Sequence, residues 1–230
     1  LVGSEMCIRD SLKWMEKDFI YETRFTPESG LFDTDEIRLC FDGLDTIADI
    51  YLNGCLLGRA DNMHRAWAYS VTGMLMRGEN SLRIYFHSPV KYIRERYAEC
   101  VTMGSEHCMD GFPQIRKAHC MFGWDWGPRL PDAGIWKNVF LQGVEKGRLE
   151  SVYVTQEHEE QKVTLYIRTE IASAGETQED RAKAQELSYR VTVTDPQGNV
   201  RTEEDSPECL VITQPLLWLS LIHISEPTRH

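Results

Sequence analysis

Apolar residues recur at every second position over most of this chain, and turn residues interrupt each run before it reaches the length of a helix. Ala48, Ile50 and Leu52 share one face of a strand; Asn53-Gly54 follows, and Cys55-Leu56-Leu57-Gly58 returns. Asn-Gly between two such runs marks a type I′ hairpin. Leu82, Ile84 and Phe86 alternate with Arg83, Tyr85 and His87, and residues 18–25, 36–41, 67–71 and 135–141 read as further strands. Asp42-Gly43 and Arg77-Gly78-Glu79-Asn80 punctuate them. Many short strands at close spacing bury their apolar faces only by packing sheet on sheet. The expected fold is therefore all-β, a β-sandwich of jelly-roll type.

Residues 90–100 break the alternation. Tyr92, Ile93, Tyr97 and Cys100 fall at helical spacing among good helix formers, which predicts a short helix opening a long excursion to about Ala118. A second β unit begins near Arg148: residues 149–155, 163–171, 187–194 and 208–212 alternate, with a polar loop at 172–186. Four strands at this spacing predict part of an immunoglobulin-like sandwich, a fold that takes about seven. The expected organisation is a jelly-roll domain over 12–147 and a partial immunoglobulin-like sandwich over 148–218. Residues 1–11 and 219–230 resemble translated sequencing-adapter sequence and are expected to be non-native tails on a piece of a longer protein.

Composition narrows the function. A net charge of −11 argues against a nucleic-acid or anionic-membrane partner, since both require a basic surface. Neither an apolar run long enough to span a bilayer nor a phosphate-cradling glycine loop occurs. Outside the tails stand Cys40, Cys55, Cys100, Cys108, Cys120 and Cys209, none in a C-x-x-C pair. Cys100, His107, Cys108, His119 and Cys120 match no standard zinc spacing, so no metal and no cofactor is expected. Reduced cysteines predict a cytoplasmic protein.

One segment carries chemistry. Phe122-Gly-Trp-Asp-Trp-Gly-Pro128 sets Asp125 between Trp124 and Trp126, with a glycine on either side and a closing proline. Axial C–H bonds of a pyranose lie on an indole face, and an ionised carboxylate accepts hydrogen bonds from adjacent hydroxyls. The glycines and proline predict a tight irregular loop, where binding residues concentrate. Trp124, Asp125 and Trp126 are the candidate sugar-binding residues. Arg116 and Lys117 read as a solvated basic turn, with pairing of Arg116 to Asp125, or a place for Arg116 at the pocket mouth, as the alternative. His64 and Arg65 read as structural hydrogen-bonding residues beneath the loop, with a role as ligands or bases as the alternative. Trp14, Trp67 and Trp136 read as packing residues, and Asp42 and Asp45 as turn residues without a further role.

Taken together, Phe41-Asp-Gly-Leu-Asp-Thr46, Ile50-Tyr-Leu-Asn-Gly54, Asn62-Met-His-Arg65, Phe86-His-Ser-Pro89, Arg116-Lys-Ala118, Phe122–Pro128 and Gly134-Ile-Trp136 resemble, in order and spacing, the N-terminal part of glycoside hydrolase family 2. The Arg-Lys-Ala and Trp-Asp-Trp pieces point to its β-mannosidases, and the resemblance runs from about Lys13 to about Thr194. It implies a galactose-binding-like jelly roll, an immunoglobulin-like domain, and a TIM barrel holding two catalytic glutamates. Such enzymes remove terminal non-reducing β-D-mannose from oligosaccharides with retention, the carboxyls about 5–5.5 Å apart. A barrel takes about 250 residues and does not fit after Thr194, so no catalytic residue is expected in this chain. By the same resemblance the Trp-Asp-Trp loop reaches a pocket shared with the barrel. The implied partners are thus that domain and a mannose-terminated oligosaccharide. The alternatives are an autonomous carbohydrate-binding module, or the same region of a β-galactosidase or β-glucuronidase.

Overall fold

The structure, a computed structural model, describes residues 11–215 apart from 176 and 196. The expected tails lie outside the described residues, except for Ser11. The chain divides into two compact units after Val144.

The first unit is a β-sandwich. Its strands are β1 (Phe19–Phe25), β2 (Glu36–Phe41), β3 (Leu44–Asp45), β4 (Ala48–Leu52), β5 (Cys55–Ala60), β6 (Trp67–Ser70), β7 (Asn80–Phe86), β8 (Gly134–Ile135) and β9 (Val139–Val144). One antiparallel sheet has the order β1-β7-β4-β5, a second has the order β6-β2-β9, and β3 pairs with β8. The alternation dictates what faces inward. Ile37, Leu39 and Phe41 of β2 meet Ala48, Ile50 and Leu52 of β4 and Leu82, Ile84 and Phe86 of β7 in one buried cluster. The β4–β7 register, Ala48 opposite Phe86, Ile50 opposite Ile84 and Leu52 opposite Leu82, keeps the two apolar sets on the same face. Each buried Ile, Leu or Phe side chain of that cluster contributes about 1.5–3 kcal/mol relative to exposure. Asn53 and Gly54 adopt φ of 52° and 82°, as a type I′ turn requires.

The turn entering β7 rests on one buried amide. Asn80 Oδ1 accepts from the Met76 amide (2.8 Å) and Asn53 Nδ2 (2.9 Å). Its Nδ2 donates to the carbonyls of Met76 (2.8 Å) and Gly78 (2.9 Å). Every donor and acceptor of the side chain is used, at 1 % exposure. Asn80→Ala strands those backbone partners and is expected to cost about 1–3 kcal/mol. A urea midpoint shift worth less than about 0.5 kcal/mol, the level of an ordinary surface change, would refute this.

A helix, α1 (Pro89–Glu99), follows β7 and begins where sequence placed it. Ser88 caps it by accepting from the Lys91 amide at 3.2 Å, and Pro89 occupies the first turn, where no amide donor is needed. Ser88 also donates to the Met15 carbonyl, and its amide donates to Asp18. Burial by itself would raise the Asp18 carboxyl. Hydrogen bonds from the Tyr85 hydroxyl and the Ser88 amide, with the Lys91 ammonium nearby, outweigh it and hold the group below the usual range.

Three features of this unit differ from expectation. The single strand read over 135–141 is two strands, because the chain pairs first with β3 and then with β2. The kink at Asp42-Gly43 between β2 and β3 is matched by one at 136–138, where the Asp42 amide donates to the Asn138 carbonyl (3.0 Å). Trp136 sits in that kink and is not core: its indole, 48 % exposed, covers Gly43, where a Cβ would lie 2.7 Å from Cε2. Trp14 is likewise on the surface, with the Lys17 ammonium over its ring.

The second unit is also built of antiparallel strands. Long strands β10 (Gly147–His158) and β11 (Lys162–Ser173) pair with each other, and β11 pairs with β14 (Cys209–Thr213). A separate hairpin joins β12 (Val191–Thr194) to β13 (Val200–Glu203). Val163, Ile167 and Leu210 are buried on one face, as the alternation requires. The polar loop at 172–186 contains a helix, α2 (Gln178–Gln185), started by a reciprocal cap between Thr177 and Asp180. The strand expected at 187–194 forms only from Val191, since Tyr189 hydrogen-bonds through its amide to the Ser206 hydroxyl instead. Among the described residues no helix is long and apolar enough to cross a membrane.

Candidate functional site

The loop carrying Trp124, Asp125 and Trp126 is held at its base and bare at its tip. Phe122 is fully buried against Ile47, Ile93 and Ile115, in a small second core beneath α1. That core fixes where the loop leaves the domain. The Phe122 carbonyl accepts from the Met109 amide (3.0 Å), and the Gly123 carbonyl accepts from the buried Cys108 thiol (2.9 Å). Arg129, on the outgoing side, donates through Nη2 to the Glu106 carbonyl (2.9 Å) and through Nε to that of His107 (3.3 Å). The excursion at 105–109, read from sequence only as a long loop, is thus the backboard of the candidate site.

The tip is a tight hairpin. Trp124 and Gly127 exchange backbone hydrogen bonds at 3.4 and 3.3 Å, leaving Asp125 and Trp126 at the apex. Trp126 is 84 % exposed and Trp124 55 %. Asp125 is exposed and has no hydrogen-bond or ion-pair partner among the described residues. An acceptor-only carboxylate between two bare indoles is free to take donors from a ligand, and the indoles offer apolar faces beside it.

Gly123 permits this presentation. Its φ of 108° with ψ of 163° is a conformation open essentially to glycine alone, and a Cβ there would lie 2.8 Å from the His107 carbonyl oxygen. Gly123→Ala is expected to displace the hairpin and destabilise the domain by about 1–3 kcal/mol. A fall in protection of the 124–127 amides in hydrogen exchange is the signature. Unchanged protection together with unchanged stability would contradict it.

Sequence reasoning missed an ion pair next to this loop. Lys117, read as part of a solvated turn, is fully buried, and its ammonium pairs with Asp45, itself 4 % exposed. The Asp45 carboxylate also accepts from the Thr46 hydroxyl. Asp132 approaches the same ammonium at 3.6 Å. Asp45 and Asp132 share the wall of a cleft of about 240 Å³ with Tyr21 and Trp136. Arg116 is exposed and does not pair with Asp125. His64 and Arg65 are exposed too, not buried under the loop; Arg65 stacks on the Trp67 ring at 4.3 Å. Among the described residues no group of three or more His, Cys, Asp or Glu side chains is arranged to hold a metal.

Comparison with known proteins places these features in a family. The model of the glycosyl hydrolase 2 galactose-binding domain-like family matches residues 8–137. The β-mannosidase of Mus musculus is 33% identical over 149 residues, 60% of this chain and 17% of that protein. β-Mannosidase B of Emericella nidulans is 30% identical over 228 residues, 90% of this chain and 25% of that protein. The crystal structure of β-D-mannosidase from Dictyoglomus thermophilum superposes with a TM-score of 0.74 at 32% identity, covering 90% of this chain and 26% of that one. A β-glucuronidase from an uncultured Clostridium sp. shares the fold at 19% identity and a TM-score of 0.58. The chain spans about a quarter or less of the length of the β-mannosidases it matches. With the family model covering more than half of its residues, this chain belongs to the glycosyl hydrolase 2 galactose-binding domain-like family.

Proposed function

We propose that this chain is the N-terminal, non-catalytic portion of a retaining exo-β-mannosidase. The parent enzyme hydrolyses terminal non-reducing β-D-mannose residues, and this part supplies Trp124, Asp125 and Trp126 to the sugar pocket. The observation that carries the reading is the exposed Asp125, without a hydrogen-bond or ion-pair partner among the described residues, between two exposed indoles on a hairpin held at its base. Similarity to β-mannosidases from animals, fungi and a bacterium supports it. Chemistry falls to two glutamates in a TIM barrel that follows the sandwiches; a jelly-roll domain and an immunoglobulin-like domain precede it.

In that arrangement Asp125 binds hydroxyls of the terminal mannose away from the bond being broken. Binding energy realised there holds the ring in position while the barrel distorts and cleaves it. It also selects the sugar, because a ligand lacking the hydroxyl partner leaves a desolvated carboxylate unpaired. The six free cysteines outside the tails suit a reducing, cytoplasmic compartment.

The test is to express the full-length gene and assay aryl β-D-mannoside beside the β-galactoside and β-glucuronide. The mannoside is expected to be the preferred substrate by at least about a hundredfold, the discrimination expected of a site that hydrogen-bonds a specific hydroxyl. Preference for either of the other two glycosides would overturn the proposal.

A further inference from the structure

We infer that Lys117 is a positioning residue for the Trp124–Asp125–Trp126 hairpin: its ammonium clasps the two ends of the segment that carries it. The assignment rests on the sugar-pocket role proposed for that hairpin. It deepens that role by naming what holds the hairpin in place.

The geometry is that of a pinned loop. Residues 118–131 form one excursion whose only regular structure is the 3-10 turn His119–Phe122. Lys117 stands immediately before the excursion and Asp132 immediately after it, and the Lys117 ammonium lies 3.6 Å from the Asp132 carboxylate. The same ammonium pairs with Asp45 on β3, whose partner strand β8 begins at Gly134, two residues past Asp132. One buried cation therefore joins the entry of the loop, its exit and the sheet. The entry has two further ties. The Met63 amide donates to the Arg116 carbonyl (3.0 Å), and the Ala118 amide points at the Met63 sulfur (2.9 Å).

The two partners differ in kind. Asp45 is buried with Lys117 and is a requirement of the fold, since either charge alone would be left uncompensated in the interior. Asp132 has a side chain 68 % exposed, so folding does not demand it. What it adds is closure of the loop. The ion-pair partners of Lys117 are Asp45 and Asp132 and not the three hairpin residues, so its effect on substrate passes through the position of the hairpin. A misplacement of about 1 Å is enough to cost reactivity heavily when the group orients a reacting ring.

The separation between Asp45 and Asp132 allows a clean experiment on the full-length enzyme. Asp132→Asn removes the charge from the loop-closing contact and keeps the buried pair. Lys117→Met removes both contacts and tests the larger effect if it folds. Each is compared by hydrogen exchange over residues 122–129 and by kcat/KM on aryl β-mannoside, in the parent enzyme and in an Asp125→Ala background. Asp132→Asn is expected to speed exchange of the 124–127 amides about two- to fivefold, the worth of a half-exposed ion pair. Exchange in β2 and β7 should stay unchanged. It should lower kcat/KM by a similar factor in the parent and by less than about 1.5-fold in the Asp125→Ala background, because coupled groups are non-additive. Unchanged exchange at 124–127, acceleration spread evenly through the domain, or full additivity with Asp125→Ala would each overturn the positioning role. If exchange rises locally while Asp125→Ala alone leaves kcat/KM intact, the clasp holds the loop but the loop does not serve the sugar. That result removes the pocket reading and the positioning role with it.

Discussion

Asp125→Ala in the full-length enzyme is expected to lower kcat/KM for aryl β-mannoside by about 10²- to 10³-fold while leaving folding stability unaltered. A hydrogen bond to a charged group is worth about 1.5–3 kcal/mol, and the carboxylate can accept from two adjacent hydroxyls, so a loss of about 3–4 kcal/mol is reasonable once non-additivity is allowed. The stability expectation follows from the surroundings: Asp125 has no hydrogen-bond or ion-pair partner among the described residues, so its removal orphans nothing in the free protein. Changes at such a position stay within about 0.5 kcal/mol. The split between kinetic constants is informative. If the carboxylate grips ground state and transition state alike, KM rises and kcat holds; if the grip supports ring distortion, kcat falls as well. Remote positioning predicts the second pattern. Asp125→Asn should retain part of the activity, since an amide oxygen still accepts while the charge is gone. An unchanged kcat/KM in Asp125→Ala would exclude contact with the substrate.

Most of this architecture is legible in the sequence, and the exceptions share a cause. Strands whose apolar side faces a core announce themselves by alternation, as β2, β4 and β7 do, because the pleat gives a one-sided buried sheet a period of two. β13 carries no such signal: Val-Arg-Thr-Glu has three exposed residues and buries none. Trp136 misled because a large indole next to a strand is ordinarily packed inside, whereas here a glycine across the kink lets it lie on the surface. The hairpin at Asp125 was readable because its chemistry is contiguous. Lys117 and Asp45 stand 72 residues apart, and no local pattern shows that two charges so far separated will be buried together. Each lay inside a motif picked out for resemblance, Arg116-Lys-Ala118 and Phe41-Asp-Gly-Leu-Asp-Thr46. The signal was the presence of two charged positions in motifs otherwise made of turn and core residues.

That hidden pair sets the largest stability effect expected for a single polar substitution in this chain. Lys117→Met keeps the length of the side chain, removes the charge, and leaves the Asp45 carboxylate in the interior with the Thr46 hydroxyl as its remaining hydrogen-bond donor among the described residues. Removing one partner of a buried ion pair costs about 3–5 kcal/mol, because the other charge stays desolvated without compensation. With a urea dependence of about 1–3 kcal/mol per molar, the first unfolding transition should move down by at least about 1 M. The reverse substitution, Asp45→Leu, should cost a similar amount, by stranding the ammonium with only the half-solvated Asp132 carboxylate at 3.6 Å. Replacing both partners at once removes the desolvation penalty along with the attraction, so the double variant should recover much of the loss and sit well above the sum of the single variants. Additive losses in that cycle, or a shift below about 0.3 M for Lys117→Met, would show that water reaches the pair and that the interior does not enforce it.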